Sequence, residues 1–167
     1  MNQQPTPTEL NPLDAQFMRQ ANHRALTARE RGNRPFGAVV VSGSGEVLME
    51  AYCNTTETGD CTGHAETNAV RQLSPKVSRE VLAGSTLYSS AEPCVMCAGA
   101  IFWSGIGRVI FGIDAVRLRV FRGDVAEQKD AELSCRDVFN ASPRPIECIG
   151  PVMLDECSAP HLGFWQK

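Results

Sequence analysis

Residues 85–112, STLYSSAEPCVMCAGAIFWSGIGRVIFG, read as strand, helix and strand in succession. Residues 85–89 suit a strand, and Pro93 stands where a first helical turn tolerates proline. The helix then runs over roughly 94–103 and is stopped by Ser104-Gly105, after which 107–112 returns as a strand. At the start of that helix lie Cys94 and Cys97, two thiols three residues apart. A helix N-terminus carries partial positive charge, which favours the thiolate forms that bind metal.

Outward from this unit the same punctuation continues. Upstream, Thr62-Gly63 precedes a helix over about 64–73, broken by Ser74-Pro75. Before it, 36–41 is a β-rich run, Ser42-Gly43-Ser44-Gly45 a turn, and 46–52 the returning hairpin strand. Asn11-Pro12 opens a first helix in which Phe17, Ala21, Ala25 and Ala28 keep an approximate helical period, ending at Gly32-Asn33-Arg34-Pro35. Residues 1–11, with three prolines in the first twelve positions, are expected to be a flexible arm ahead of a single domain, 12–167. Downstream, a fifth strand is expected over 146–154 and a last helix over 155–162, whereas 114–145 resists assignment. A hairpin followed by alternating strands and helices predicts an α/β fold, a five-stranded mixed sheet between two helical layers.

His64 and Glu66 begin the helix at 64, so both metal-type fragments are expected at helix starts that follow strands and can converge at one sheet edge. One imidazole and two thiolates are a zinc ligand set with the fourth tetrahedral position open for water. Two thiolates and a neutral imidazole cancel the charge of Zn2+, so a nearby base becomes useful, and Glu66 is that base. Its expected work is to take a proton from the activated water and to return it to the leaving group. The rival reading is a closed structural zinc site, with Cys61 as fourth ligand.

Composition sets the class. With 43% hydrophobic and 21% charged residues, the 167-residue chain is a soluble globular domain able to bury a core without staples. The N-terminus lacks the charged start and apolar run of a signal peptide, and no apolar stretch spans a bilayer, so a cytoplasmic location is expected. In such a compartment Cys53, Cys61, Cys135, Cys148 and Cys157 read as small apolar fillers. A net charge of −3 sets up no field that attracts a polyanion, which favours a small neutral substrate over nucleic acid.

His64-Ala65-Glu66 with Pro93-Cys94-Val95-Met96-Cys97 resembles the zinc-binding signature of the cytidine/deoxycytidylate deaminase superfamily. The longer strings at 35–39, 60–66 and 92–101 are similar to bacterial guanine deaminases and tRNA adenosine deaminases, and the likeness covers roughly 35–112. It implies a homodimeric α/β/α sandwich with one Zn2+ per chain. It also implies substrate contacts from Asn54, from Phe36 as an aromatic pocket wall, from the Ala65 amide and from a carbonyl within 89–91, Ser89 included. The aromatic end, Phe164 and Trp165, resembles guanine deaminases whose tail closes over the pocket. In place of the Phe-Asp-Asp string of those enzymes, Asp114 and Asp124 are substitutes for proton movement. Arg117, Arg119 and Arg122 read as a solvated element, with phosphate recognition or pocket cover as the alternative, and His161 reads as a surface residue. The expected activity is hydrolytic deamination of a free amino-purine, guanine first. The alternatives are a tRNA-specific adenosine deaminase and a catalytically silent zinc-stabilised binding module, which the intact Glu66 argues against.

Overall fold

A computed structural model describes residues 10–123 and 133–166. Most of the expected N-terminal arm, residues 1–9, and Asp124 lie outside the described residues. Helix α1, Pro12–Glu30, is capped by Asn11, whose Oδ1 accepts from the Asp14 amide at 2.8 Å. Asn11 thus belongs to the helix start. Strands β1 (Gly37–Val41) and β2 (Val47–Tyr52) form the antiparallel hairpin. Strand β3 (Thr86–Ala91) pairs antiparallel with β1, and β4 (Arg108–Ile113) pairs parallel with β3. Strand β5 (Glu147–Ile149) pairs parallel with β4, giving the sheet order β2-β1-β3-β4-β5.

The remaining helices are α2 (Thr55–Thr58), α3 (Ala65–Leu73), α4 (Arg79–Ala83), α5 (Val95–Ser104), α6 (Ala115–Arg122), α7 (Cys135–Asn140) and α8 (Leu154–Ser158). Strand alternation sorts the core into two faces. Ala38, Val40, Leu87, Val109 and Phe111 pack with Ala69 and Leu73 of α3, Ile101 of α5 and Phe139 of α7. Val39, Val41, Tyr88, Ile110 and Ile113 pack with Phe17, Met18 and Ala21 of α1, Leu118 of α6 and Cys157 of α8. The three-layer sandwich follows. Gly37 is where α1 meets the sheet most closely: a Cβ there would collide with the Ala21 carbonyl.

A buried polar knot holds the layers in register. The Arg108 guanidinium donates to both carboxylate oxygens of Asp14, at 2.9 and 2.8 Å, and the Tyr88 hydroxyl donates to Asp14 Oδ1 at 2.5 Å. The Arg108 hydrogen bond holds the Asp14 carboxyl below its ordinary value, against burial.

Two expectations are corrected here. The fifth strand is only Glu147–Ile149, because residues 150–153 turn away from the sheet into α8, and the last helix is split into α8 and a 3-10 turn, Ala159–His161. The illegible 114–145 region contains α6 and α7.

Candidate active site

His64 is the N-cap of α3 and Cys94 the N-cap of α5, so each metal-type side chain sits at a helix mouth delivered by the preceding strand or turn. His64 Nδ1 lies 3.5 Å from Cys94 Sγ and 3.6 Å from Cys97 Sγ. Tetrahedral bonds of about 2.3 Å to sulfur and about 2.05 Å to nitrogen put N and S roughly 3.6 Å apart, so the three donors fit one Zn2+. Among the described residues, His64, Cys94 and Cys97 form the one group of this kind, and the exposed Cys61 is not part of it. A Zn2+ held by these three residues would have its fourth tetrahedral position available for water. The Cys94 thiol is pushed down to about 4, first by the hydrogen bond from Cys97 and then, against burial, by His64.

Glu66, 5% exposed, follows in the first turn of α3. Its Oε1 accepts from the Ser89 hydroxyl at 2.5 Å, and that hydroxyl also lies 2.7 Å from the Ala91 carbonyl. Burial pushes the Glu66 carboxyl up from its ordinary value, against hydrogen bonds from Cys97 and Ser89. The carboxyl can thus accept and return a proton. Thr67 adds a hydrogen bond to the metal side, its hydroxyl 3.2 Å from Cys97 Sγ.

A cavity of about 200 Å³ opens onto this centre, with His64, Cys94 and Glu66 in its wall. Phe36 lines one side. The roof comes from α6, through Val116, Leu118, Arg119 and Arg122. The arginine-rich segment thus covers the pocket, and Arg117 turns outward to pair with Asp114 at 3.1 Å. Glu92 hangs this roof from the core: its Oε2 accepts from the Ala115 amide at 2.9 Å and its Oε1 from the Ser134 hydroxyl at 2.8 Å.

The other expected contacts are distributed around the cavity rather than along its wall. Asn54 stands beside it, next to the lining residue Cys53. Its Oδ1 accepts from Asn68 Nδ2 at 3.0 Å, which leaves the amide NH2 as the end able to donate. Gly63 makes room for that carboxamide, since a Cβ there would strike Asn54 Oδ1. Ala65 and Ser89 are fully buried behind the wall. Asp114 is the N-cap of α6.

Trp165 packs beside Phe36, 6.2 Å between ring centroids, carries the Arg122 guanidinium 5.0 Å over its ring, and lies nearly parallel to the His161 ring, 7° between planes. Its indole N–H donates to His161 Nδ1 at 3.1 Å. His161 is 1% exposed, which corrects its expected surface position: the aromatic tail folds over it. Glu92, Asn68 and the Ser89 hydroxyl were missed as functional residues, because each acts through partners distant in sequence. Two of the remaining cysteines, Cys135 and Cys148, lie together, 3.9 Å between sulfurs.

Residues 12–113 match the family described as the cytidine and deoxycytidylate deaminase zinc-binding region. The chain is 42% identical over 158 residues to a probable cytosine deaminase of Schizosaccharomyces pombe, covering 95% of this chain and 96% of that one. It is 32% identical over 158 residues to a tRNA-specific adenosine deaminase of Haemophilus influenzae, covering 93% and 84%. The backbone resembles a guanine deaminase structure from Nitrosomonas europaea with a TM-score of 0.71 at 20% identity, covering 94% of this chain and 86% of that one, a likeness of fold alone.

Proposed function

Because this chain belongs to the cytidine and deoxycytidylate deaminase family and is a hydrolytic deaminase, we propose that its substrate is a free amino-substituted nucleobase, cytosine first. The observation that carries this reading is the cavity of about 200 Å³, lined by α6 together with Glu66, His64 and Cys94. That volume is below the roughly 300–1,000 Å³ that accommodates drug-sized molecules and suits a single heterocycle. Extensive similarity to a probable cytosine deaminase supports the one-ring choice. Guanine is the second reading, supported by the Phe36 ring against which a purine would stack. An anticodon base would have to be brought beneath the α6 roof, which disfavours the tRNA reading.

Zn2+ held by His64, Cys94 and Cys97 supplies, when bound, a water acidic enough to attack at neutral pH. Glu66 moves the protons: it accepts one from the attacking water, passes it to the ring nitrogen, then delivers the second to the amine, and ammonia leaves. Ser89 holds the carboxylate in place, and Asn54 donates from the cavity edge to a ring acceptor. The homodimer belongs to the same proposal; Trp103, 76% exposed on α5, offers an apolar face for it, and sedimentation of the zinc-loaded protein reads it out.

The test is ammonia release from cytosine, guanine, adenine and cytidine, with inosine formation in a tRNA anticodon stem as a parallel arm. Cytosine turnover is expected to exceed the others. Turnover of the RNA alone would overturn the free-base reading, and silence throughout with zinc bound would favour a binding module. Glu66→Gln should keep the metal and lower kcat by about 10²–10⁴.

A further inference from the structure

Cys135 opens α7 and Cys148 lies in β5, thirteen residues later, with their sulfurs 3.9 Å apart. Neither takes part in the chemistry above. They are unequal: Cys135 is fully buried, whereas Cys148 on the edge strand is partly exposed. Side-chain rotation and a small shift of α7 toward β5 would bring sulfurs at this separation to the roughly 2.05 Å of a disulfide. The Cys135 thiol is also 3.9 Å from Glu92 Oε1, the oxygen that accepts from Ser134, while the other Glu92 oxygen holds Ala115 at the start of α6. The cysteine pair and the cavity roof therefore share one carboxylate.

We propose that Cys135 and Cys148 form a reversible disulfide that loosens the α6 roof over the active-site cavity. The oxidant is a peroxide. The Cys148 thiolate attacks one peroxide oxygen, forming an S–O bond as the O–O bond breaks and hydroxide leaves. Cys135 then attacks that sulfur, having given its proton to the hydroxide; the S–S bond forms, the S–O bond breaks, and a second hydroxide leaves and takes up the proton that Cys148 released on ionising. Two thiols lose two electrons and one peroxide becomes two waters. The hydrogen bond from Cys135 holds the Cys148 thiol below its ordinary value, against burial and with the charge of Arg136 adding, so the more exposed sulfur is also the nucleophile. When Cys135 is drawn toward Cys148, its neighbour Ser134 is drawn from Glu92, and the carboxylate that suspends Ala115 loses the Ser134 hydroxyl.

The experiment treats zinc-loaded protein with graded hydrogen peroxide, maps cysteine linkages by mass spectrometry, and follows amide hydrogen exchange over α6. A linked Cys135–Cys148 peptide is expected, cleaved by dithiothreitol, together with several-fold faster exchange at the Ala115 amide that reverts on reduction. Cys148→Ser should abolish both without disturbing zinc content. The proposal is overturned if zinc is released from Cys94 and Cys97 before any such link forms, or if the link forms and α6 exchange is unchanged. Neither readout depends on which base is turned over.

Discussion

Thr67 stands in the first turn of α3 with its hydroxyl 3.2 Å from Cys97 Sγ. A hydroxyl donating to a thiolate stabilises the charge that binds the metal, and outer hydrogen bonds of this kind are worth about 10–100-fold in metal affinity. Thr67→Val keeps the shape and removes the donor. Its zinc affinity, measured by competition with a chromophoric chelator, should fall by about 10-fold or more, with the fold unchanged by circular dichroism. His64, Glu66, Cys94 and Cys97 were legible in the chain because their meaning lies in spacings of two and three residues. Thr67, Asn68 and the hydroxyl of Ser89 were not, because a polar side chain near a motif acquires its partner only when strands and helices converge. Ser89 meets Glu66 across 23 positions of sequence.

Helix α6 was the hardest segment to read. Arg117-Leu118-Arg119-Val120 alternates charged and apolar side chains with period two, a strand-like pattern that Phe121 then breaks, and of this helix only Leu118 is buried in the core. Its helical state follows from where it ends up, over a cavity and beneath a tether. That tether is Glu92, and Glu92→Ala removes the acceptor of the Ala115 amide and the Ser134 hydroxyl. Hydrogen bonds to a charged group contribute about 1.5–3 kcal/mol each. The variant should therefore melt at lower temperature and show a several-fold higher KM, with kcat affected less, since Glu66 and the metal ligands are untouched. Steady-state kinetics beside a thermal melt check both. Strand β5 escaped correct bounds for a related reason: three paired residues carry too little pattern to mark an end.

The layered arrangement as a whole was legible, because β1 and β4 are apolar on both sides and the helices between strands are bounded by proline and glycine. The stability of the assembled molecule has a pH signature the chain did not announce. Burial pushes His161 down to about 4, with the charges of Arg122 and Arg29 adding. Above the ordinary histidine value neither folded nor unfolded state is protonated there, and the shift costs nothing. As pH falls below about 6.5 the unfolded chain takes up a proton that the folded one refuses. Stability drops toward about pH 4 by roughly 3 kcal/mol, at about 1.4 kcal/mol per unit. Asp14 acts lower still: its depressed carboxyl contributes stability above the ordinary carboxylate range, lost as pH falls through the folded value. Urea midpoints between pH 7 and 4.5 should fall for the parent chain and fall distinctly less for His161→Gln. Equal slopes would rule out the buried neutral imidazole as the cause.

Cys94 and Cys97 are neighbours in any conformation, but His64 is thirty residues from Cys94, beyond two helices and a strand. Closing a chain segment of that length costs about 3 kcal/mol of entropy, which the folded sheet has already met and a denatured chain has not. Bound zinc is thereby a built-in gauge of intactness. During chemical denaturation the colour of a metal indicator dye should rise along the same curve as the loss of ellipticity, and early bleeding of the ion would mean that the imidazole's helix unravels ahead of the rest.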